Sequence, residues 1–209
     1  NSKILMVAPA ERQAYNLFFK TLNYLEEKHS KKIKRGKDRP TKSEINLKNG
    51  SKILCLPTGR TGGKIRSYTI DRLYIEEASR VPERVWEAIT PMLLTTEGDL
   101  VMLSTPHGAK GKFYEVFKNK DEAYNSFTRF SKSSEEVIRN RPITDTWTEE
   151  QRKQALKHLE KEKKRMSKRQ YAQEYLGEFV EELNRWFSDK LIDKTCTMKR
   201  PENIDPNGE

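Results

Sequence analysis

The sequence has few of the residues that build disulfide frameworks and metal clusters. It contains 2 cysteines and 3 histidines among 209 residues. Cys55 stands in an apolar run and Cys196 in a polar tail, so neither a disulfide framework nor a zinc site follows from their count and spacing. The chain also lacks any apolar run of about 18 residues, so the sequence offers no support for a transmembrane helix.

Charge is what the sequence has in abundance. Lys and Arg total 41 against 31 Asp and Glu, which gives a formal net charge of +10. Such a basic excess favours a nucleic acid as partner. The length suits one large domain or a domain with an appendage. Because the chain starts with Asn and ends in a polar, turn-rich stretch, we expect it to be a piece of a longer protein.

Short apolar runs alternate with helical patterns along the chain. This alternation predicts an α/β domain of three layers with a mainly parallel sheet. Asn49-Gly50 lies between two of the runs and predicts a hairpin. Strands are predicted over residues 4–8, 44–47, 52–56, 68–75, 100–103 and 126–130, and helices over residues 13–25, 82–94, 112–117, 148–166 and 168–176.

The most informative segment places two consecutive carboxylates, Glu76 and Glu77, at the end of an apolar strand. In open α/β sheets, ligands bind at the edge where such strands end. One carboxylate there can hold Mg²⁺, usually through water, and its neighbour can orient or deprotonate a water that attacks a nucleotide γ-phosphate. The pair is equally typical of ordinary acidic residues before a helix, where the helix dipole favours negative charge.

A second apolar strand ends in two hydroxyl residues, Ser104 and Thr105. The stretch between Glu77 and Ser104 is long enough for a helix and a return to a neighbouring parallel strand. The two strand ends would then present carboxylates and hydroxyls to one crevice, where a hydroxyl can bond a γ-phosphate or a water. A simple Ser-Thr-Pro turn is the alternative explanation for this segment.

In their order and spacing, these motifs resemble the ATPase domain of viral large terminase subunits, the DNA-packaging motors of tailed phages. Residues 4–14 are similar to the strand and helix after the family's nucleotide-binding helix, and residues 65–78 to its Walker B region. Residues 103–117 resemble its coupling motif, and residues 171–179 the end of its ATPase domain. The resemblance implies a P-loop NTPase-like domain over residues 1–180, with a helical segment and linker over 181–209 toward a nuclease domain.

The resemblance also implies a role for each matching residue. Glu77 takes the position of the catalytic carboxylate that activates water. Glu76 takes the Mg²⁺-associated position, where the family usually has Asp, and Ser104 and Thr105 belong to the coupling motif. The implied cofactors are ATP and Mg²⁺. The implied partners are double-stranded DNA, a portal protein, a terminase small subunit and further copies of the subunit in a ring, in the host-cell cytoplasm and without a membrane.

One family motif is not found in this chain, namely the Walker A loop that ends in Gly-Lys-Ser/Thr and is expected before the strand at Ile4. Residues 59–64 are no substitute, because Ile65 follows the lysine where Ser or Thr should bind Mg²⁺ and because the glycine spacing is wrong. We therefore expect this stretch of chain, taken alone, to bind ATP poorly and to hydrolyse it little or not at all.

Two segments concentrate the positive charge, a tract within residues 31–42 and a helical stretch over 153–169. Lys and Arg supply DNA affinity by releasing phosphate counterions, and a packaging motor needs such backbone contacts rather than base readout. In the helical stretch, Glu160 and Glu162 alternate with lysines as on an ordinary solvated helix. The predicted DNA-contacting residues are therefore those of the tract: Lys31, Lys32, Lys34, Arg35, Lys37, Arg39 and Lys42.

Three arginines, Arg12, Arg60 and Arg66, are candidates for an arginine finger that stabilises γ-phosphate charge, in cis or from a neighbouring subunit. An ordinary surface role is the alternative for each of them. Two other functions stay open at the level of sequence. One is a superfamily 2 helicase-like ATPase, in which a strand ending in acids and a Ser/Thr motif also occur. The other is a non-enzymatic basic DNA-binding module whose acidic pair is structural.

Overall fold

A five-stranded sheet forms the centre of the computed structural model, which describes residues 1–59, 63, 65, 68–119, 122–180 and 194–195. The strand order is β2-β3-β1-β4-β5. Strand β1 pairs in parallel with β3 and β4, β4 pairs in parallel with β5, and β2 is antiparallel to β3. The strands are β1 Lys3–Ala8, β2 Glu44–Asn46, β3 Lys52–Pro57, β4 Arg72–Glu76 and β5 Asp99–Leu103.

Because β1, β3, β4 and β5 are parallel, they all end at one edge of the sheet, which we call the carboxyl edge. The edge at which they begin is the amino edge. Helices connect and follow the strands, and the last α-helix continues directly into a π-helical turn, Ala172–Leu176. The helices are α1 Glu11–His29, α2 Glu83–Ile89, α3 Gly111–Lys118, α4 Ser134–Asn140, α5 Glu149–Arg165 and α6 Lys168–Tyr171.

Strand β1 shows how the apolar runs fix the layers. Its alternate residues point to opposite faces, so Leu5 joins one buried cluster while Met6 packs against the other. Helix α2 covers the first face through Trp86, and α1 covers the second through Phe18. Each fully buried Leu or Ile side chain contributes about 1.5–3 kcal/mol relative to exposure. The predicted three-layer α/β architecture with a mainly parallel sheet is confirmed.

The hairpin predicted at Asn49-Gly50 is also present, as β2 and β3, and Gly50 has a φ of 83° that favours glycine. The strand predicted over 68–75 begins only at Arg72, because the Ile70 N–H donates to the Met92 carbonyl (3.2 Å) rather than to a neighbouring strand. The outer strand predicted over 126–130 is wrong. The guanidinium of Arg129 instead donates to the carbonyls of Val116, Phe127 and Tyr124, which holds this segment against α3.

Residues 181–209, predicted as a helical segment and linker, lie outside the described residues except for 194 and 195. Within the described part of the chain, none of the helices has the length and apolar character needed to cross a membrane.

Candidate active site

Glu76 lies at the carboxyl edge because it is the last residue of β4. Its Cα is in parallel register with that of Leu103, the last residue of β5. Leu73 and Ile75 are fully buried, which anchors the strand. Because side chains alternate along a strand, the Glu76 side chain points to the opposite face from Ile75 and stays half-buried. The sheet therefore brings the ends of β4 and β5 side by side, as the sequence predicts.

Glu77 follows in an unusual backbone conformation. Its φ of 53° and ψ of 41° fall in the left-handed region, which residues other than glycine rarely adopt. A short 3₁₀ turn, Ala78–Arg80, begins directly after it and is anchored by the buried Ala78. The N–H of Arg80 donates to the Glu77 carbonyl (2.9 Å). Such a conformation costs about 1–3 kcal/mol and persists only where neighbouring contacts hold it.

Two contacts around Glu77 were not predicted from the sequence. The first is an ion pair with Arg80, whose Nε lies 3.7 Å from Glu77 Oε2. Both side chains are partly solvent-exposed, at 48% for Arg80 and 31% for Glu77, so the pair contributes little stability by itself. It nevertheless places a guanidinium beside the predicted catalytic carboxylate. Sequence reasoning missed Arg80 because an arginine three residues after an acid is common on any turn.

The second contact joins the two strand ends. The Ser79 N–H donates to Ser104 Oγ (3.2 Å), and the two serine Oγ atoms lie 2.7 Å apart. Each Oγ is also 2.8 Å from the Thr105 carbonyl oxygen. Since each hydroxyl has one proton, one consistent arrangement has Ser79 donating to Ser104 and Ser104 donating to Thr105. A hydroxyl two positions after an acid pair was the available signal for Ser79.

The loop after β5 is held at its far end as well. Gly108 donates its N–H to Oε1 of Gln173 (3.2 Å), a residue only 8% exposed that lies in the π-helical turn. π-Helical turns occur frequently at functional sites. A cavity of about 170 Å³ lies between Ser104, Thr105 and the Glu174–Tyr175 part of that turn. The predicted coupling residues therefore border both the Glu77 turn and the helical part of the chain.

One arginine-finger candidate can be located. Arg12 is exposed in the first turn of α1, which starts close after the end of β1, so it lies at the carboxyl edge. Within the described ranges it forms no ion pair. Arg60 and Arg66 lie outside the described residues.

The acidic pair offers carboxylate oxygens of the kind that a magnesium ion prefers. Among the residues that the structure describes, no group of three or more His, Cys, Asp or Glu side chains could hold a metal ion. Magnesium, however, is usually bound through one or two carboxylates, with waters and substrate phosphates completing its shell. Glu76 and Glu77, half-buried at the carboxyl edge, fit that mode and do not fit an all-protein cage.

The basic tract lies elsewhere on the domain. It follows α1, whose 19 residues span roughly 28 Å, and Ile33 anchors it by bridging to Leu47 beside the start of β3. Two of its cations are already paired, Arg35 with Glu26 (2.9 and 2.6 Å) and Lys34 with Asp38 (3.3 Å). The remaining five are exposed and form no ion pair among the described residues: Lys31, Lys32, Lys37, Arg39 and Lys42.

A mainly parallel sheet between helical layers, with acids and hydroxyls at its carboxyl edge, places the domain among the open α/β folds, a class that includes P-loop NTPase-like domains. Comparison with known families narrows this class. The family model described as "Terminase large subunit, T4likevirus-type, N-terminal" matches residues 1–194, and the chain belongs to this family. The resemblance to terminase large-subunit ATPase domains is thereby confirmed. No curated protein matches the sequence.

Solved structures agree on the fold. The large terminase ATPase domain of Thermus phage P74-26 is 20% identical with a TM-score of 0.54, covering 86% of this chain and 77% of that one. The large terminase of another thermophilic bacteriophage is 14% identical with a TM-score of 0.61, covering 86% and 41%. That of bacteriophage HK97 is 18% identical with a TM-score of 0.56, covering 86% and 40%. The chain thus spans about two fifths of each of the last two proteins. The second of the three terminases is also solved with ADP and with ATP-gamma-S.

Proposed function

We propose that this domain hydrolyses ATP, as part of a terminase large subunit that moves double-stranded viral DNA into a procapsid. The observation that carries the proposal is the junction of the Glu77 turn with Ser104 at the carboxyl edge, where the Oγ atoms of Ser79 and Ser104 lie 2.7 Å apart. This edge is where ligands of open α/β sheets bind. Family membership and the nucleotide complexes of the related bacteriophage terminase support the same activity.

In the proposed mechanism, Glu77 accepts a proton from the attacking water or orients it toward the γ-phosphate. Glu76 would hold Mg²⁺ through water, and the ion would supply positive charge near the phosphate oxygens. Arg80 competes with the water for the Glu77 carboxylate, so productive geometry requires that this loose ion pair open. Arg12 is the described candidate for an arginine finger; Arg60 and Arg66 remain candidates from sequence.

Ser104 and Thr105 carry the proposed coupling step. Their loop bonds to the Glu77 turn through Ser79 and to the π-helical turn through Gln173. A movement of this loop therefore changes contacts at both ends. In this proposal, ATP hydrolysis beside Glu77 is coupled through the loop after β5 to displacement of the π-helical turn.

The basic tract is the proposed DNA contact. Its five unpaired cations, Lys31, Lys32, Lys37, Arg39 and Lys42, form no ion pair within the described residues and can neutralise phosphates. The two paired residues, Lys34 and Arg35, contribute less because their own partners compete. The proposal includes a homo-oligomeric ring on the portal protein, a terminase small subunit as partner, and action in the host-cell cytoplasm.

The proposal is tested on the full-length large subunit. Glu77→Gln keeps the shape of the side chain and removes its charge, and we expect ATP turnover to fall by about 10²–10⁴-fold. The matched control is Glu87→Gln on α2, an exposed glutamate with no ion pair in the described part of the chain. Turnover at the wild-type rate in Glu77→Gln would contradict the proposal.

Two further measurements separate the alternative functions. Strand unwinding by the full-length protein would favour a helicase-like ATPase over a packaging motor. Salt-sensitive DNA binding without any ATP turnover would favour a non-enzymatic DNA-binding module.

A further inference from the structure

We propose that Ser79 is a positioning residue that links the conformation of Glu77 to the end of β5. The inference rests on the catalytic role proposed for Glu77. Ser79 lies in the turn after the acid pair. Its side chain is half-buried and contacts Ser104 at the end of the neighbouring strand.

The contacts of Ser79 are unusually complete for a partly exposed residue in a short turn. Its N–H donates to Ser104 Oγ (3.2 Å), its Oγ lies 2.7 Å from the same atom, and its Oγ is 2.8 Å from the Thr105 carbonyl oxygen. Both its backbone and its side chain are therefore fixed by the end of β5. These hydrogen bonds attach the turn after β4 to the end of β5, in addition to the ladder that pairs the two strands.

The position of Glu77 depends on this turn. A left-handed glutamate is unfavourable on its own, so the residues that follow must hold it. The Arg80 N–H bonds the Glu77 carbonyl (2.9 Å) and closes the turn locally. Ser79 attaches the turn to a separate segment, because its hydrogen bonds reach Ser104 and Thr105 after β5. Removing its hydroxyl leaves the acid pair in place and loosens the direction in which the Glu77 carboxylate points.

The same contact gives the turn a way to respond to nucleotide. Ser104 has one hydroxyl proton, which in one arrangement is donated to the Thr105 carbonyl. A phosphate oxygen at the carboxyl edge competes for that proton, because a charged acceptor forms the stronger hydrogen bond. The hydrogen bonds from Ser79 then end on a Ser104 hydroxyl that points to phosphate. Ser79 would then bond to a Ser104 hydroxyl whose direction differs with and without phosphate.

The test compares three variants of the full-length large subunit. In Ser79→Ala, we expect kcat for ATP hydrolysis to fall about tenfold while KM stays within about twofold, since the lost contact acts on the reacting geometry and not on substrate binding. Ser79→Thr retains the hydroxyl and should recover most of the rate. The matched control is Ser30→Ala, an exposed serine whose hydroxyl forms no hydrogen bond in the described part of the chain. Thermal melts show whether each variant is folded.

A second measurement does not depend on turnover. Ser104→Ala removes the acceptor of the Ser79 N–H, so hydrogen exchange at residues 78–80 should become faster while exchange in α1 stays the same. Unchanged exchange would contradict the contact itself.

The outcomes separate the inference from the proposed function. If Glu77→Gln turns over ATP like the wild type, both are wrong. If Glu77→Gln is inactive but Ser79→Ala has the wild-type kcat, only the role of Ser79 is wrong. A raised KM with unchanged kcat in Ser79→Ala, or a threonine variant as slow as the alanine variant, would also overturn it.

Discussion

The carboxyl edge and the basic tract are both polar surfaces of one domain, but they are built in different ways. At the carboxyl edge, the paired strands β4 and β5 deliver a few side chains, and hydrogen bonds of 2.7–3.2 Å fix the serines that follow them. The basic tract consists of exposed side chains on a loop anchored mainly by the buried Ile33. Function at the first surface therefore depends on individual atoms, whereas function at the second depends on the number of charges.

After the loss expected in Glu77→Gln, the largest effect that should separate the two surfaces is at Glu76. We expect Glu76→Gln to lower ATP turnover by roughly 10–100-fold, the range for groups that act on a metal through water, and to raise the Mg²⁺ concentration needed. Glu76→Asp keeps the carboxylate and introduces the residue usual in the family, so it should retain most of the activity. DNA affinity should not change in either variant. The measurement is a titration of ATP turnover with Mg²⁺.

A loss of DNA affinity in Glu76→Gln would break the comparison, because it would show that the carboxyl edge and the DNA contact are not separate. Equal ATP turnover in the Gln and Asp variants would contradict the proposed role of Glu76 in holding Mg²⁺.

Replacing the five unpaired cations of the tract by alanine should give the next largest effect. Each phosphate contact contributes about 0.9 to the slope of log affinity against log salt concentration, so the slope should fall by about 4–5 if all five bind phosphate. ATP turnover without DNA should stay the same. The matched control replaces five exposed lysines of α5 and its flank: Lys153, Lys157, Lys161, Lys164 and Lys168.

An unchanged salt slope in the tract variant, with a reduced slope in the control, would transfer the DNA contact to α5. The comparison would then be between the carboxyl edge and a helix, and the sequence-based choice of the tract would be wrong.

The fold and the position of the carboxyl-edge residues could be predicted from the sequence. The strands at residues 4–8 and 100–103 are continuous apolar runs, and Asn49-Gly50 is a local turn signal, so the fold followed from short-range patterns. Parallel pairing of β4 and β5 then brought Glu76 and Ser104 to one edge. These are properties of neighbouring residues and of general sheet geometry.

What sequence could not predict are contacts that depend on how distant segments pack. Ser79 bonds to Ser104 only because the turn after β4 lies against the end of β5. Arg35 pairs with Glu26 only because the chain turns back on α1 after Ile33. Arg129 folds its own segment by bonding three carbonyls, which removed the strand expected there. No periodic pattern records such contacts.

The smallest predicted effect lies within the tract. Arg35 is held by a bidentate pair with Glu26, at 2.9 and 2.6 Å, whereas Lys37 is exposed and has no ion-pair partner in the described part of the chain. Lys37→Ala should therefore weaken DNA binding by about twofold at low salt, and Arg35→Ala should weaken it less, although both remove one positive charge. Glu26→Gln releases Arg35 and should slightly strengthen binding. The measurement is a salt titration of DNA binding by the variants side by side. An equal loss of affinity in both alanine variants would show that the ion pair does not keep Arg35 from binding DNA. The contribution of the tract would then depend only on its number of charges.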